Sequence, residues 1–292
     1  MLKEKPDFLC IGLPKAGTST LHFVLDSHPD IAMPPVKEVK FLIKNKISFM
    51  SPRILSLMSN EWPSQQDRAY LYRFLKTAIA HGTGFYQWRS IARYYFLPAS
   101  GKKWYQGLFH PNKISGDITV NYFWITAEEI KQLKMEYPWL KIIIMLRNPI
   151  ELHWSYFRML SLRKKEKGVF DNERFEREIE EKKQNIGRYA DLVGNWKQEF
   201  QENVFVGIFD DLRDEPVQFF NEVCKFLGVE QSSGWTTKMR ESMGVRVNQS
   251  PYLEIAPELA APMLELSRLN LDEFETINAK QKKIWMSHLE KI

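Results

Sequence analysis

Residues 7–25 read DFLCIGLPKAGTSTLHFVL, and the reading of this stretch decides the fold. Phe8 to Ile11 form a short apolar run, the pattern of a buried strand. A turn containing Gly12, Pro14, Lys15 and Gly17 follows, and then Thr18, Ser19 and Thr20. From Leu21 the apolar residues recur at Val24 and Leu25, which is helical spacing. A strand, a glycine-containing turn and a helix N-terminus bring backbone N–H groups and the positive helix end to one point, and that geometry binds anions. Lys15 adds a full charge and the three hydroxyls add donors. The plainer alternative is a βα turn whose lysine points to water.

The general pattern closest to this turn is the phosphate loop G-x-x-x-x-G-K-[ST]. Gly12 and Gly17 keep its spacing, but Thr18 stands where the lysine belongs, and the loop's own lysine is Lys15. The stretch therefore predicts a nucleotide phosphate site without the usual magnesium–ATP chemistry.

With 292 residues and 44% hydrophobic content, the chain can bury a sizeable core in one or two domains. The opening residues MLKEKPD lack the apolar run of a signal peptide. No segment approaches the roughly 20 apolar residues of a membrane span. The two cysteines, Cys10 and Cys224, fall in apolar segments and read as reduced core thiols. These features predict a cytoplasmic protein with no membrane partner. The net charge of +5 is mild, and mixed-sign runs at 163–167 and 174–183 read as solvated helix faces. Such a balance argues against a nucleic-acid partner and suits a small polyanionic ligand.

Beyond the first helix, 31–33 is a candidate short strand, and Glu38 is one acid among the basic and bulky residues Lys37, Val39, Lys40 and Phe41. From about 42 to 112 aromatic residues crowd in while glycines interrupt the helices, the composition of a substrate-covering lobe. The alternative is helical packing over one face of the sheet. Residues 113–119 read as a strand ending in the polar groups Asp117 and Thr119, and 127–137 as an amphipathic helix. Lys141–Leu146, KIIIML, is the clearest buried parallel strand. Arg147-Asn148-Pro149 ends it, with Pro149 near the first position of the next helix. Helices at 171–183 and 188–201, a strand at 203–209, and a helix over Pro216–Leu227 capped by Gly228 follow. After 230 the pattern is irregular until helices at 257–267 and 271–277.

This alternation predicts a doubly wound α/β fold: a single P-loop-like domain over 1–292 with a central parallel sheet flanked by helices, plus the aromatic lobe. Ligands of such sheets sit beyond the carboxyl ends of the strands. The Lys15 loop, Asp117 with Thr119, and Arg147 are then neighbours. Arg147 with Ser155 in the next helix suits a second phosphate. Two phosphate sites without a magnesium signature suggest a nucleotide phosphorylated at two positions.

At this point the chain resembles the sulfotransferases that use 3′-phosphoadenosine 5′-phosphosulfate (PAPS). Residues 14–19, PKAGTS, are similar to the family's 5′-phosphosulfate loop, and Arg147-Asn148-Pro149 with Ser155 to its 3′-phosphate motif, R-[ND]-P-x5-S. His28-Pro29 resembles the family's H-P turn, and KEVKF at 37–41 the K-E-x-[HK]-F-F segment of the heparan-sulfate-type and bacterial branch. Residues 104–109 resemble W-Y-x2-L-F, and 116–122 resemble G-E-x-[ST]-P-x-Y. Phe209-Asp210-Asp211-Leu212, Asp214-Glu215-Pro216 and Phe226-Leu227-Gly228 resemble Y-E-D-L-x2-D-P…F-L-G. Each motif is weak alone, and their order and spacing make them strong together.

The resemblance implies a metal-free sulfuryl transfer from PAPS, releasing adenosine 3′,5′-bisphosphate (PAP). It implies that Lys15 neutralises the leaving group, and that Ala16, Gly17, Thr18, Ser19 and Thr20 hold the 5′-phosphate. Arg147 and Ser155, joined by Arg246 of the RVNQSP segment at 246–251, would hold the 3′-phosphate. Glu38 falls where this branch places its catalytic base. None of the six histidines lies in the T-H-L-P segment of the branch that uses histidine. Lys37, Phe41, Trp88, Trp104, Tyr105, Asp117 and Thr119 are candidate contacts for the acceptor. The chain departs from the pattern at Ile118 in place of a lysine, Val120 in place of the proline, and Leu152 in place of a second arginine. The implied partner is a small natural-product hydroxyl, less readily an amine. A glycan or lipid-linked sugar is the alternative acceptor, and a PAP-binding protein without catalysis the alternative of another class.

Overall fold

Phe8–Cys10 forms strand β1, and all three of its residues are buried. The computed structural model describes residues 4–34, 37–42, 84–96, 101–163, 177, 179–181, 186–230 and 257–290. Helix α1 spans Thr18–Asp26 and buries Leu21, His22, Val24 and Leu25. Helices α2 (Gly84–Phe96) and α3 (Gly101–Gln106) belong to the aromatic segment. Strand β2 (Gly116–Ile118), a 3-10 turn at Val120–Trp124, helix α4 (Ala127–Glu136), strand β3 (Lys141–Leu146) and helix α5 (Pro149–Arg163) follow. The chain continues through α6 (Tyr189–Phe200), β4 (Val204–Ile208), α7 (Phe209–Asp214), α8 (Pro216–Leu227), α9 (Pro257–Asn270) and α10 (Glu275–Leu289).

The strands form one parallel sheet in the order β2-β1-β3-β4. Five of the six residues of β3 are buried, as expected for a parallel strand covered on both faces. Strand β1 is central, with Leu9 opposite Asp117 on one side and Ile142 on the other. From β1 the chain first winds outward to β2, then crosses back to β3 and on to β4. The crevice between the carboxyl ends of β1 and β3 is therefore the topological switch point, where ligands of such sheets bind. Gly116 permits the close approach of β2, since a Cβ there would lie 2.5 Å from the Phe8 carbonyl oxygen.

A buried ion pair fastens the start of the sheet. Lys5 Nζ binds Asp7 Oδ2 and donates to the Lys113 carbonyl at 2.6 Å, while the Ser115 amide donates to the same Asp7 oxygen at 2.9 Å. The predicted strand at 31–33 reduces to one parallel bridge, Ile31 with Ile114. The helix expected at 271–277 is corrected: 271–274 is turn, and the helix runs over Glu275–Leu289 with a break at Asn278. Gln281, Trp285 and Leu289 are its buried residues, and Asp210 accepts from Trp285 Nε1 at 2.6 Å and Gln281 Nε2 at 3.1 Å.

The described part of the aromatic segment makes a second small core of Val39, Tyr94, Trp104, Tyr105, Leu108 and Phe109, with Phe41 packed against it. Residues 43–83 and most of the helix predicted at 171–183 lie outside the described residues. Both cysteines are free and buried, and burial pushes each thiol up to about 12. Among the described residues no helix is long and apolar enough to cross a membrane.

Candidate functional site

Past β1 the chain stays against β3. The Ile11 amide donates to the Ile143 carbonyl at 3.0 Å and the Leu13 amide to Met145 at 3.1 Å. A Cβ on Gly12 would meet Met145 Cβ at 2.7 Å and Thr18 Cγ2 at 2.9 Å, so only glycine lets the turn lie this low. Lys15 (φ 69°) and Gly17 (φ 82°) are in the left-handed region, and together they reverse the chain into α1. Gly17 is the N-cap of α1. It brings no side-chain acceptor to the first amides, and the first turn holds no acid. The first amides of α1, the helix dipole and Lys15 thus meet at one turn, and these groups fit a phosphate. Thr18 is buried, with Ser19 and Thr20 half-buried beside it.

Arg147 leaves the carboxyl end of β3 and reaches this turn. Its Nη1 donates to the Lys15 carbonyl at 2.9 Å, and its guanidinium lies 4.4 Å from the centroid of the Phe209 ring. Nε and Nη2 both donate to Glu151 Oε2, one helical turn along, at 3.2 and 2.9 Å. Of the five N–H donors of an arginine, these contacts engage three. One further N–H on each Nη remains beyond these three contacts, and such donors suit a phosphate. Ser155 is buried on α5.

Glu38 comes from a loop laid across the end of β2. The Glu38 amide donates to the Ile118 carbonyl at 3.1 Å, the Val39 amide to Asp117, and the Lys40 amide to Thr119 Oγ1 at 3.3 Å. Asp117, fully buried, also accepts from Tyr105 Oη at 3.0 Å, Thr119 Oγ1 at 2.8 Å and Tyr122 Oη. Burial raises the Asp117 carboxyl above the ordinary aspartate range, and the three hydroxyls and the Val39 amide pull it back. The loop so held keeps Glu38 (φ 65°) and Lys40 (φ 59°) in the left-handed region. Non-glycine residues enter that region where surrounding contacts enforce it, as functional sites often do. The Glu38 carboxylate is part-exposed and flanked by two ammonium groups, Lys40 Nζ at 3.3 Å and Lys37 Nζ at 3.8 Å.

The Lys37 side chain is 6% exposed and turned toward the first loop, where its Nζ donates to Thr18 Oγ1 at 3.2 Å. Burial pushes its amine below the ordinary lysine range, and Glu38 pulls it back. One ammonium therefore touches both the phosphate turn and the carboxylate named as base.

The other candidates divide. Phe41 stacks on Tyr105 with ring centroids 4.4 Å apart, at the border of the second core. Asp117, Thr119 and Tyr105 hold the Glu38 loop from below. Trp104 is buried and donates from Nε1 to the Arg93 carbonyl at 3.0 Å, so its ring is packing. Trp88 is 60% exposed on α2. Arg246 lies outside the described residues. Glu151, Phe209 and Tyr122 were not anticipated as site residues. The four-residue spacing of Arg147 and Glu151 was the signal for the first, whereas the contact of Phe209 with Arg147 joins two strand ends that no local pattern relates. Ile118 is buried in the core, and its carbonyl serves the Glu38 amide.

Comparisons with known proteins bear on the family and the fold. The model of the Sulfotransferase family matches residues 6–233. Comparison with curated proteins finds no match. A sulfotransferase structure from Alicyclobacillus acidocaldarius is similar at 21% identity and TM-score 0.62, covering 97% of this chain and 100% of that one. A mouse sulfotransferase solved in complex with PAP is similar at 12% identity and TM-score 0.55, covering 98% of this chain and 89% of that one. At these identities the structural likeness speaks for the fold.

Proposed function

The chain belongs to the sulfotransferase family, and from that premise we propose that it moves the sulfuryl group of PAPS to a small-molecule hydroxyl, with Glu38 as the general base. PAPS, when bound, supplies a sulfuryl group already activated by its phosphate leaving group. Lys15 and the amides and hydroxyls of 16–20 hold the 5′-phosphate and take up the charge that appears on the leaving oxygen. Arg147 and Ser155 hold the 3′-phosphate. The Glu38 carboxylate takes the proton of the acceptor hydroxyl as the new O–S bond forms. The electron pair of the breaking S–O bond stays with the departing phosphate oxygen. Sulfuryl transfer of this kind needs positioning, charge stabilisation and one base, and the residues at hand supply these.

One observation carries the reading: Lys37 Nζ lies 3.2 Å from Thr18 Oγ1 and 3.8 Å from Glu38 Oε1, so base and donor turn are one ammonium apart. That separation suits in-line transfer, in which the acceptor oxygen approaches the sulfur from the side opposite the leaving oxygen. Phe41, three residues on from Glu38 at the border of the second core, and the exposed Trp88 on α2 are the candidate apolar contacts for the acceptor.

Isothermal titration with PAP, without metal, tests the donor site. Wild type binds, Lys15→Ala loses binding, and magnesium–ATP does not substitute. Glu38→Gln keeps PAP affinity and loses transfer by roughly 10²–10⁴-fold, the range of a general base. Absence of PAP binding in wild type sinks the donor assignment.

A further inference from the structure

We propose that Lys37 is a catalytic residue in its own right, an ammonium that binds the oxygens of the sulfuryl group in transit. The inference rests on the reading of PAPS as donor and Glu38 as base. Its ground is the position of Nζ between Thr18 on the donor turn and Glu38 at the acceptor end. In-line transfer carries the sulfur along the line joining those two ends, so a group that touches both lies against its path.

Two simpler roles for Lys37 fit less well. As a counterion for Glu38 it is the weaker partner, since Lys40 Nζ is closer at 3.3 Å and the Lys37 separation of 3.8 Å exceeds a hydrogen bond. As a strut for the loop it is superfluous, because the amides of 38, 39 and 40 are already fastened to Ile118, Asp117 and Thr119. The lysine is nevertheless buried, with the charged form penalised by that burial. An ammonium carries three N–H donors in rotatable positions. One goes to Thr18, and the others suit oxygens that gain or shift charge as the S–O bond breaks. Buried as the Lys37 side chain is, such a charge acts more strongly than in solvent.

The distinguishing experiment measures PAP and PAPS affinity side by side, without acceptor, in wild type and Lys37→Met. PAP lacks the sulfuryl group, so it reports the rest of the donor site. If Lys37 binds the sulfuryl oxygens, PAP affinity stays within about threefold while PAPS weakens at least tenfold relative to PAP. With acceptor present, kcat falls roughly 10²–10³-fold, the scale of one lost transition-state donor. Lys37→Gln, which keeps a donor for Thr18, is the second variant should the methionine chain not fold. Lys37→Arg recovers part of the preference for PAPS because the charge is retained. An unchanged PAPS-to-PAP ratio, with or without lost turnover, overturns the proposal and reduces Lys37 to a positioning residue. Failure of wild type to bind PAP or PAPS overturns instead the donor reading beneath it.

Discussion

The Arg147 guanidinium and the Glu151 carboxylate form a bridge within one helical turn, with Nη2 to Oε2 at 2.9 Å and Nε to the same oxygen at 3.2 Å. Glu151 orients the arginine but also places a negative charge beside the proposed 3′-phosphate site. Orientation does not depend on it alone, because the Lys15 carbonyl and the Phe209 face hold Arg147 as well. Glu151→Gln keeps an oxygen acceptor and removes the charge. It therefore tightens PAP binding by several-fold at low salt, about 1 kcal/mol for a part-exposed charge. The gain fades as ionic strength rises and the Debye length shortens to about 8 Å near physiological salt. Titration of both proteins at two salt concentrations checks this, and weaker binding by the variant would mean that orientation outweighs repulsion.

Gly17 joins a backbone requirement to a packing one. Its φ of 82° suits glycine, and an added Cβ would stand 2.7 Å from Leu212 Cδ2 and 2.8 Å from Phe209 Cδ2. Gly17→Ala costs about 1–3 kcal/mol from the left-handed backbone alone. It also moves Phe209, on which Arg147 rests, so PAP affinity falls at least tenfold. Thermal unfolding and PAP titration of one preparation separate the two effects.

The fold was legible where local signals agree. Lys141–Leu146 was read with its observed limits because an apolar, β-branched run stops at Arg147-Asn148-Pro149. The Lys15 turn and Arg147 were legible because both are short motifs at strand ends, and the parallel order brings those ends together. The direction of the Lys37 side chain was not. The residue belongs to a loop with positive φ at Glu38 and Lys40 that is fastened to partners nearly 80 residues away in sequence, such as Thr119. Nor could composition tell that Trp104 and Tyr105 are buried, since the same rings in the same numbers line a pocket or fill a core. The last helix was cut short because its buried stripe, Gln281, Trp285 and Leu289, is diluted by lysines and one of its three members is polar.

Asp7 tests the clamp at the foot of the sheet. Lys5 and Asp7 are both about 5% exposed, and Asp7 also accepts from the Ser115 amide. Asp7→Ala leaves a buried ammonium without its carboxylate and an amide without its acceptor. Removing one partner of a buried pair costs about 3–5 kcal/mol. The melting temperature then drops by on the order of 10 °C for a chain of this size. The site lies at the opposite end of the strands, so PAP affinity of the folded variant is unchanged. A shift of a degree or two would show that water or rearrangement replaces the pair.

Asp117 carries the last prediction, because stability and catalysis report on it with different signatures. Its folded carboxyl is raised above the ordinary aspartate range, chiefly by burial. Between the ordinary value and the raised one, the folded chain binds a proton that the unfolded chain has released. Stability from this group therefore falls as pH rises across that window and returns as pH is lowered. Asp117→Asn does not titrate, so the melting temperature of wild type gains on that of the variant as pH drops from neutral through the window. A difference that is flat or opposite in sign would contradict the raised carboxyl. Catalysis responds by another route. Tyr105, Tyr122 and Thr119 hydroxyls and the Val39 amide converge on Asp117, and an asparagine turns a donor toward some of them. Hydroxyls reverse their role, but the Val39 amide cannot, so the Glu38 loop loosens while the Lys15 turn and Arg147 are untouched. The variant then keeps PAP affinity within about twofold and loses kcat by tenfold or more, the cost of displacing the proposed base by about 1 Å.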